Sequence, residues 1–333
     1  MTGQQGDAHE CRVSVIIPAY NAARWLGETL ESVHAQGVEG VETIVVDDGS
    51  RDATASLVRS QYPWVQLVCT PNRGVSAART TGTEQARGRY IKYLDADDLL
   101  AGGALAAQLA QAEQVDVDVV YGGWQRLVPD AQGWRKGECV FRRWEEYGEA
   151  PELAFFSGMW CPTAAYLWRA AFLREKHPGW HPGLPVIQDA RFVLDAARAG
   201  ARFTYEPRVS VLYRMHDSGS VSTRSERAFW LDCERNTREI EEAWTHASRL
   251  DARQHRVLLS NWAQLARVGY AVDPSLARRA FAALKRLAPG YVPSEHPGYR
   301  ALVRLVGPLG TEALLHAGRR VRRRIVGASH RSG

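Results

Sequence analysis

Residues 90–98 read YIKYLDADD, an apolar run of strand length that ends in a cluster of aspartates. Asp95 and Asp97 flank a single alanine, and alternate side chains of an extended segment point to the same side. Two neighbouring carboxylates supply the hard oxygen ligands that Mg²⁺ and Mn²⁺ prefer. A solvated acidic loop before a helix has the same composition, so the rest of the chain must decide between the two interpretations.

The first 120 residues alternate short apolar runs with helical patterns. Strands are predicted at 13–17, 43–46, 65–69, 90–94 and 117–121. The first helix is predicted to run from an Asn21 cap to Gln36. This alternation predicts an α/β fold with a Rossmann-like, mostly parallel central sheet flanked by helices. Such sheets bind ligands beyond the carboxyl ends of their strands, so the loops at 18–21, 47–50 and 95–98 are expected to converge on one crevice.

Four motifs follow one another in this half of the chain: VSVIIPAYN (13–21), VVDDGS (45–50), NRGVSAAR (72–79) and YIKYLDADD (90–98). Together they strongly resemble glycosyltransferase family 2, and the resemblance covers residues 12–222. It implies the GT-A fold and an enzyme that moves a sugar, with inversion, from a nucleotide-diphosphate donor to an acceptor hydroxyl. It further implies Mn²⁺ or Mg²⁺ as cofactor, a glycan or lipid-linked glycan as acceptor, and a role in cell-surface polysaccharide or glycolipid assembly.

The resemblance also implies a set of nucleotide-binding residues: Pro18, Ala19, Tyr20, Asn21, Asp48, Arg79, Asp95, Ala96 and Arg214. The first four would wrap the nucleoside. Asp48 would accept a hydrogen bond from the N–H of uracil or thymine, which makes UDP or dTDP the expected nucleotide. Asp48 precedes Gly49, however, and Asp-Gly is also ordinary turn chemistry.

The metal ligands implied by the resemblance are Asp97, assisted by Asp95, and His216 within the motif YRMHDSGS at 213–220. Imidazole nitrogen is an acceptable ligand for Mn²⁺, although a lone histidine is often only a hydrogen-bonded loop residue. Arg79 and Arg214 would contact phosphate, Arg79 in bidentate fashion, while a surface arginine is the simpler alternative for Arg79. The family often has Asn after this arginine, and Thr80 stands there in this chain.

Asp189 is the implied catalytic residue, in the motif VIQDARF at 186–192. Direct displacement at an anomeric carbon requires that a general base take the proton of the acceptor hydroxyl, and one carboxylate within hydrogen-bond reach suffices. Gln188 replaces the Glu that the family has before this aspartate. Asp189 also suits the N-cap of a helix predicted over 190–199, and the two roles are compatible.

Three tryptophans, Trp160, Trp168 and Trp180, lie between the nucleotide half and Asp189. Aromatic faces suit the C–H surfaces of sugars, so the three residues are candidates for an acceptor platform. The alternative for each of them is a place in the hydrophobic core, where large aromatic side chains are common.

Domain organisation follows from these patterns. Residues 1–11 are predicted to be extended or disordered, and 12–224 to form the GT-A domain. Within it, 12–121 would bind the nucleotide sugar and 122–224 would form the acceptor side. Residues 225–290 are predicted to be a helical extension, and 291–333 a linker followed by a basic C-terminal segment.

Charge is distributed unevenly between the body and this tail. Residues 251–333 hold 15 Lys and Arg against 4 Asp and Glu, a net charge of +11, whereas the preceding 250 residues hold 27 against 33, a net charge of −6. An apolar stretch at 301–315 precedes five arginines within 319–324. One interpretation is attachment to an anionic membrane surface. The other is a helix packed on the protein with a solvated arginine end.

Other classes of protein fit the sequence less well. A dinucleotide-binding oxidoreductase needs Gly-x-Gly-x-x-Gly after its first strand, and a nucleotidyltransferase usually has a basic, Gly-rich loop there; this chain has PAYN. No nucleic-acid-binding motif is present, so nucleic acid is not an expected partner. A catalytically silent sugar-nucleotide-binding relative is the remaining alternative. Five scattered cysteines, no signal peptide and no apolar run of spanning length favour a cytoplasmic protein, peripheral on the membrane if the tail binds lipid.

Overall fold

A computed structural model describes residues 11–131, 133–176, 178–216, 225–294 and 296–329. It divides into two compact units, 1–220 and 221–333. The N-terminal segment that the sequence predicts to be extended lies, apart from residue 11, outside the described residues.

The first unit is a nine-stranded sheet, counted over the described residues, with helices around it. Its strands are β1 (Val13–Ala19), β2 (Val41–Asp47), β3 (Val65–Cys69), β4 (Tyr90–Tyr93), β5 (Leu99–Leu100), β6 (Val119–Asp130), β7 (Gly133–Val140), β8 (Tyr166–Arg169) and β9 (Phe203–Arg214). Its α-helices are α1 (Leu26–His34), α2 (Thr54–Gln61), α3 (Val75–Gln85), α4 (Ala104–Gln114), α5 (Pro151–Phe156), α6 (Ala170–Lys176) and α7 (Gln188–Arg198).

The nucleotide half has the predicted parallel sheet. Strands run in the order β3-β2-β1-β4, and every neighbouring pair in this half is parallel. Strand β1 is buried along its whole length, which explains its mostly apolar sequence. The chain moves outward from β1 to β3 and then returns to place β4 on the other side of β1. The strand order therefore reverses between β1 and β4, which is where a sheet of this kind opens a ligand crevice.

The other half of the sheet departs from the mostly parallel prediction. Strand β8 lies between β4 and β6 and is antiparallel to both, and the β5–β9 and β6–β7 pairs are also antiparallel. Among the described strands of this half, β6 and β9 alone pair in parallel. The sequence pattern missed this because β8 joins the sheet through Tyr90–Arg169 and Ile91–Trp168 pairings, which are long-range contacts without a local signal. The predicted α/β fold class is nevertheless confirmed, since helices flank one mixed sheet.

Two predicted helix starts are wrong. Helix α1 begins at Leu26, because Asn21 has a positive φ of 51° and its side-chain oxygen accepts the backbone N–H of Arg51 at 2.8 Å. Helix α7 begins at Gln188, one residue before Asp189. Asp189 lies in its first turn, and no side chain of the described residues caps the helix. Both side chains are thus used by tertiary contacts rather than by capping.

Trp168 and Trp180 belong to the hydrophobic core. Their exposed fractions are 1% and 7%. Trp180 stacks on Phe192 with ring centroids 4.0 Å apart, and it meets Tyr93 edge-on at 4.9 Å. For these two tryptophans the structure favours the core alternative over an acceptor platform.

The second unit contains the helices α8 (Glu226–Ala247), α9 (Ala252–Val272), α10 (Pro274–Leu287) and α11 (Pro297–Ser329). Asp273 caps α10 by accepting the N–H of Ser275, and Pro274 takes the first helical position. Helix α11 is broken at Gly307, whose φ of 73° and ψ of 169° are not helical. Among the described residues, no helix combines the length and the apolar character needed to cross a membrane.

Candidate active site

The loops after β1 and β2 are tied together at the carboxyl edge of the sheet. The N–H of Asp48 donates to the carbonyl of Ala19 at 2.8 Å, and the N–H of Asn21 donates to the Ser50 hydroxyl at 2.9 Å. Pro18 and Ala19 are buried, whereas Tyr20 is 45% exposed. An exposed aromatic ring beside two joined loops is available to a flat ligand such as a nucleoside base.

The Asp48 carboxylate is buried and holds the following loop in place. Its Oδ1 accepts the N–H of Arg73 at 2.9 Å, and its Oδ2 accepts the N–H of Gly74 at 2.8 Å. Neither partner is visible in the local sequence, which suggested only a turn. The Thr70 hydroxyl also donates to Oδ1 at 3.4 Å, whereas Oδ2 can accept a second hydrogen bond, for example from a base N–H. Base recognition by Asp48 stays a prediction.

Arg79 is buried instead of lying on the surface. Its Nη2 donates to Asp95, and its guanidinium lies 4.4 Å from the ring centroid of Trp180. Burial raises the pKa of the Asp95 carboxyl, and the positive charge of Arg79 opposes this rise. The Nε and Nη1 atoms of Arg79 are buried and have no hydrogen-bond partner among the described residues. The predicted bidentate contact with phosphate is not tested by this arrangement.

Asp97 and His216 form a close pair, although 119 residues separate them. His216 Nε2 lies 2.9 Å from Asp97 Oδ2, and the imidazole stacks on Trp25 with centroids 5.2 Å apart. A carboxylate oxygen next to an imidazole nitrogen is a donor set that fits Mn²⁺. Within the described part of the chain, no group of three or more His, Cys, Asp or Glu side chains is arranged to hold a metal ion. A cation at this pair would therefore need further oxygen ligands from a bound diphosphate.

Arg214 makes a set of contacts that the sequence did not reveal. Its Nη1 donates to the carbonyl of Asp97 at 3.0 Å, and its Nη2 pairs with Glu28. The guanidinium lies 4.9 Å from the Trp25 ring and 5.2 Å from the Trp134 ring. Arg214 thus holds the loop after β4 by protein contacts. The predicted role of Arg214 toward phosphate remains a prediction.

Asp98 was not singled out by the sequence, yet it is the most buried aspartate of the loop after β4, at 2% exposure. Its Oδ1 accepts the backbone N–H of Arg214 at 2.9 Å. Burial raises the pKa of the Asp98 carboxyl well above its usual value, and the charges of Asp97 and Asp95 add to the rise. Asp98 therefore joins β9 to the loop that presents the two candidate ligands. The buried Ala96 lies between those ligands, and its carbonyl accepts the Thr29 hydroxyl at 2.9 Å.

Asp189 enters the same region from the start of α7. Its Oδ2 accepts the indole N–H of Trp160 at 2.8 Å. The negative charge of Asp189 also contributes to the raised pKa of Asp95, so the two carboxylates belong to one electrostatic cluster. The pKa of Tyr213 is raised as well. Burial is the larger cause, and the negative charges of this cluster add to it.

Trp160 itself is half-buried and belongs to a group of three aromatic rings. Its ring centroid is 5.8 Å from that of Trp124 and 6.0 Å from that of Tyr213, both edge-on. Of the three tryptophans proposed for the acceptor, Trp160 alone is joined directly to the candidate base, through its indole N–H.

Comparisons with known proteins bear on the family and on the fold. Residues 14–172 match the family model for glycosyl transferase family 2. The uncharacterized glycosyltransferase EpsJ of Bacillus subtilis (strain 168) is 27% identical over 200 residues, which are 57% of this chain and 57% of that protein. The succinoglycan biosynthesis protein ExoO of Rhizobium meliloti (strain 1021) is 28% identical over 221 residues, which are 63% of this chain and 62% of that protein. The chain thus matches less than two thirds of the length of either relative.

Solved structures show the same fold across a longer part of the chain. S. aureus TarS 1-349 in complex with UDP-GlcNAc has a TM-score of 0.65 at 18% identity, over 93% of this chain and 91% of that one. The mannosyltransferase PcManGT from Pyrobaculum calidifontis, in complex with GDP-Man and Mn²⁺, has a TM-score of 0.51 at 20% identity, over 93% and 88%. The match to glycosyl transferase family 2 spans residues 14–172, slightly less than half of the chain, and the fold of the chain is GT-A.

Proposed function

We propose that this protein is an inverting glycosyltransferase that moves a sugar from a nucleotide-diphosphate donor to an acceptor hydroxyl. One observation carries the proposal: helix α7, whose first turn holds Asp189, packs Phe192 edge-on against Tyr93 of β4 with ring centroids 5.7 Å apart, next to the loop that carries Asp95. A base candidate and a donor-side carboxylate thus face one region at the carboxyl edge of the sheet. This is the edge where ligands of α/β sheets bind.

The chemistry assigned to Asp189 is proton removal from the acceptor. The acceptor oxygen forms a bond to the anomeric carbon while the bond from that carbon to the diphosphate oxygen breaks. The electrons of the broken bond leave with the nucleotide diphosphate, and attack from the opposite side inverts the configuration. The acceptor proton passes to the carboxylate, and Oδ1 is the atom assigned to it because Oδ2 accepts the Trp160 N–H.

Asp97 and His216 would hold a divalent cation, and Asp95 would assist them. Such an ion, when bound with the donor, offsets the negative charge that grows on the diphosphate as it leaves. The buried Arg79 beside Asp95 keeps a positive charge next to this carboxylate. Arg214 and Asp98 keep the backbone of the loop in position.

For the donor base we propose uracil or thymine, because the Asp48 carboxylate lies at the joined loops and can accept an N–H. The TarS structure holds UDP-GlcNAc and the PcManGT structure holds GDP-Man, so the fold alone accommodates more than one base. For the acceptor we propose a glycan. The aromatic group at Trp160 offers partly exposed rings beside the base, and ExoO is described as a succinoglycan biosynthesis protein.

The test is a thermal-shift screen of the full chain with UDP-, dTDP-, GDP- and ADP-sugars in Mn²⁺, followed by a donor-turnover assay. A ligand that binds only the folded state raises the melting temperature. UDP- or dTDP-sugars are expected to raise it most and to be hydrolysed slowly, with water in place of the acceptor. Donor binding without any release of nucleotide diphosphate would support a silent relative, and no binding to any nucleotide sugar would reject the proposal.

A further inference from the structure

Trp25 lies directly before α1 and stacks on the imidazole of His216. The two rings are inclined by only 23°, and their centroids are 5.2 Å apart. Trp25 is 9% exposed, and the side chain of His216 is 8% exposed. The same imidazole belongs to the candidate cation pair, because its Nε2 lies 2.9 Å from Asp97 Oδ2. A large buried ring therefore packs on a candidate metal ligand.

Trp25 is itself held by side chains from three segments. Trp134, at the start of β7, meets the indole edge-on with ring centroids 5.6 Å apart. The guanidinium groups of Arg24 and Arg214 lie 4.2 Å and 4.9 Å from the centroid of the Trp25 ring. The Arg214 side chain has no exposed surface, and its ion-pair partner Glu28 belongs to α1. These contacts restrict the orientation of the indole, so it can act as a fixed support.

A support of this kind matters for a histidine that binds a cation. A loop side chain gives up rotational freedom when it becomes a ligand, and a neighbouring group that already restricts it lowers this entropic cost. Groups that orient a ligating histidine typically change metal affinity by about 10- to 100-fold when they are removed. His216 lies two positions beyond the end of β9, outside the strand, and Trp25 supplies it with such a contact.

We propose that Trp25 is a positioning residue for the candidate cation site. Its indole keeps the His216 imidazole in the orientation that places Nε2 beside Asp97, before a cation and a nucleotide diphosphate bind. In this role Trp25 acts through His216 and touches neither the cation nor the substrate. The inference rests on the proposed cation pair, so the experiment must be able to reject either one separately.

The affinity of the full chain for UDP is measured by calorimetry in Mn²⁺ and again in EDTA, with GDP as a parallel series. The ratio of the two affinities reports the contribution of the cation. Trp25→Leu should lower this ratio by about tenfold and leave the affinity in EDTA unchanged. Trp25→Phe keeps a flat ring beside the imidazole and should restore most of the ratio. Trp134→Leu changes a half-buried residue that supports Trp25, and should lower the ratio in the same direction but less.

A matched control removes a tryptophan that packs on a histidine elsewhere. Trp64, between α2 and β3, is 42% exposed, and its ring centroid is 5.4 Å from that of His34. Trp64→Leu should leave the Mn²⁺ ratio unchanged. Thermal unfolding checks that each variant folds, and if Trp25→Leu does not, Trp25→Phe and Trp134→Leu decide the outcome.

A double-mutant cycle identifies the route of the effect. In a His216→Ala background, Trp25→Leu or Trp134→Leu should lower the ratio no further, because the group on which Trp25 acts is already absent. The same loss in both backgrounds would overturn the proposal in favour of a route through Arg214. An unchanged ratio in the Trp25 and Trp134 variants would also overturn it and leave the cation pair standing. Equal affinities of the parent protein in Mn²⁺ and EDTA, with both nucleotides, would reject the cation pair and the inference together.

Discussion

The indole Nε1 of Trp160 donates a 2.8 Å hydrogen bond to Oδ2 of Asp189. This bond fixes one carboxylate oxygen and leaves the other for a substrate proton. It joins two residues that are 29 positions apart, and it ties the proposed base to the aromatic rings of Trp124 and Tyr213.

Trp160→Phe is expected to lower kcat by about tenfold while the donor KM stays the same, because the base loses its orientation and not its charge. Trp124→Phe is the matched control, since it also removes an indole N–H, one that is buried without a hydrogen-bond partner among the described residues. Steady-state kinetics of both variants measure the difference. Equal losses in the two variants would show that aromatic packing, and not the hydrogen bond, matters.

Asp189→Asn is expected to abolish transfer but not donor binding. Asn keeps an oxygen that can accept the Trp160 N–H, so the local structure should survive while the basic group is lost. Calorimetry with nucleotide diphosphate and Mn²⁺ measures binding, and product release measures turnover. Transfer within a few-fold of the parent protein would mean that another group is the base.

Asp97→Asn is expected to reduce turnover by two or more orders of magnitude, because the proposed cation loses a charged ligand next to the leaving diphosphate. The same variant should weaken the Mn²⁺-dependent part of nucleotide binding and leave the melting temperature nearly unchanged, since the side chain is 36% exposed. Asp116→Asn is a suitable control, because Asp116 precedes β6 and pairs with Arg202 at 2.7 Å. Full activity of the parent protein in EDTA would contradict the metal prediction.

Asp48→Asn tests base recognition against loop anchoring. If Asp48 reads the base, the variant should lose most of its preference for UDP or dTDP over GDP in thermal-shift titrations. If the carboxylate only anchors the backbone at Arg73 and Gly74, binding of every nucleotide should fall to a similar extent. Asp47→Asn serves as the neighbouring control, because Asp47 accepts only the N–H of Ser50 at 3.0 Å among its hydrogen bonds in the described structure.

Burial of Lys92 makes the free energy of unfolding depend on pH. This lysine lies on β4 without exposed surface, its Nζ donates to Gln108, and burial lowers its pKa to about 7. The unfolded chain holds this proton up to the usual lysine pKa of about 10.4, so between pH 7 and 10 the unfolded state binds more protons than the folded state. Stability conferred by this site therefore rises with pH across that window.

Lys92→Met should remove this contribution. Relative to the variant, the free energy of unfolding of the parent protein should rise by about 2 kcal/mol between pH 7 and pH 9. Urea denaturation at the two pH values measures it, and the comparison between proteins cancels the titration of other groups. Parallel pH dependences of the two proteins would contradict a lowered pKa for Lys92.

Local sequence determined the parallel half of the fold and the loops that carry the site. The β-branched runs at 13–17 and 43–46 are typical of buried strands, and the helical patterns between them favour right-handed parallel connections. The positions of Asp48 and Asp95 at the carboxyl edge follow from that topology without any long-range information. For the same reason, the convergence of the loops at 18–21 and 47–50 was predictable from the order of strands and helices along the chain.

Only the tertiary structure decided which side chains these loops meet. The Asp97–His216 and Asp189–Trp160 contacts, the burial of Arg79 on Trp180, and the place of β8 between β4 and β6 join segments far apart in sequence. Sequence periodicity indicates which face of a helix or strand is apolar. It holds no information about which distant residue that face will contact. Asn21 and Asp189 had the local sequence of helix caps. In the structure, their side-chain oxygens instead accept hydrogen bonds from Arg51 and Trp160.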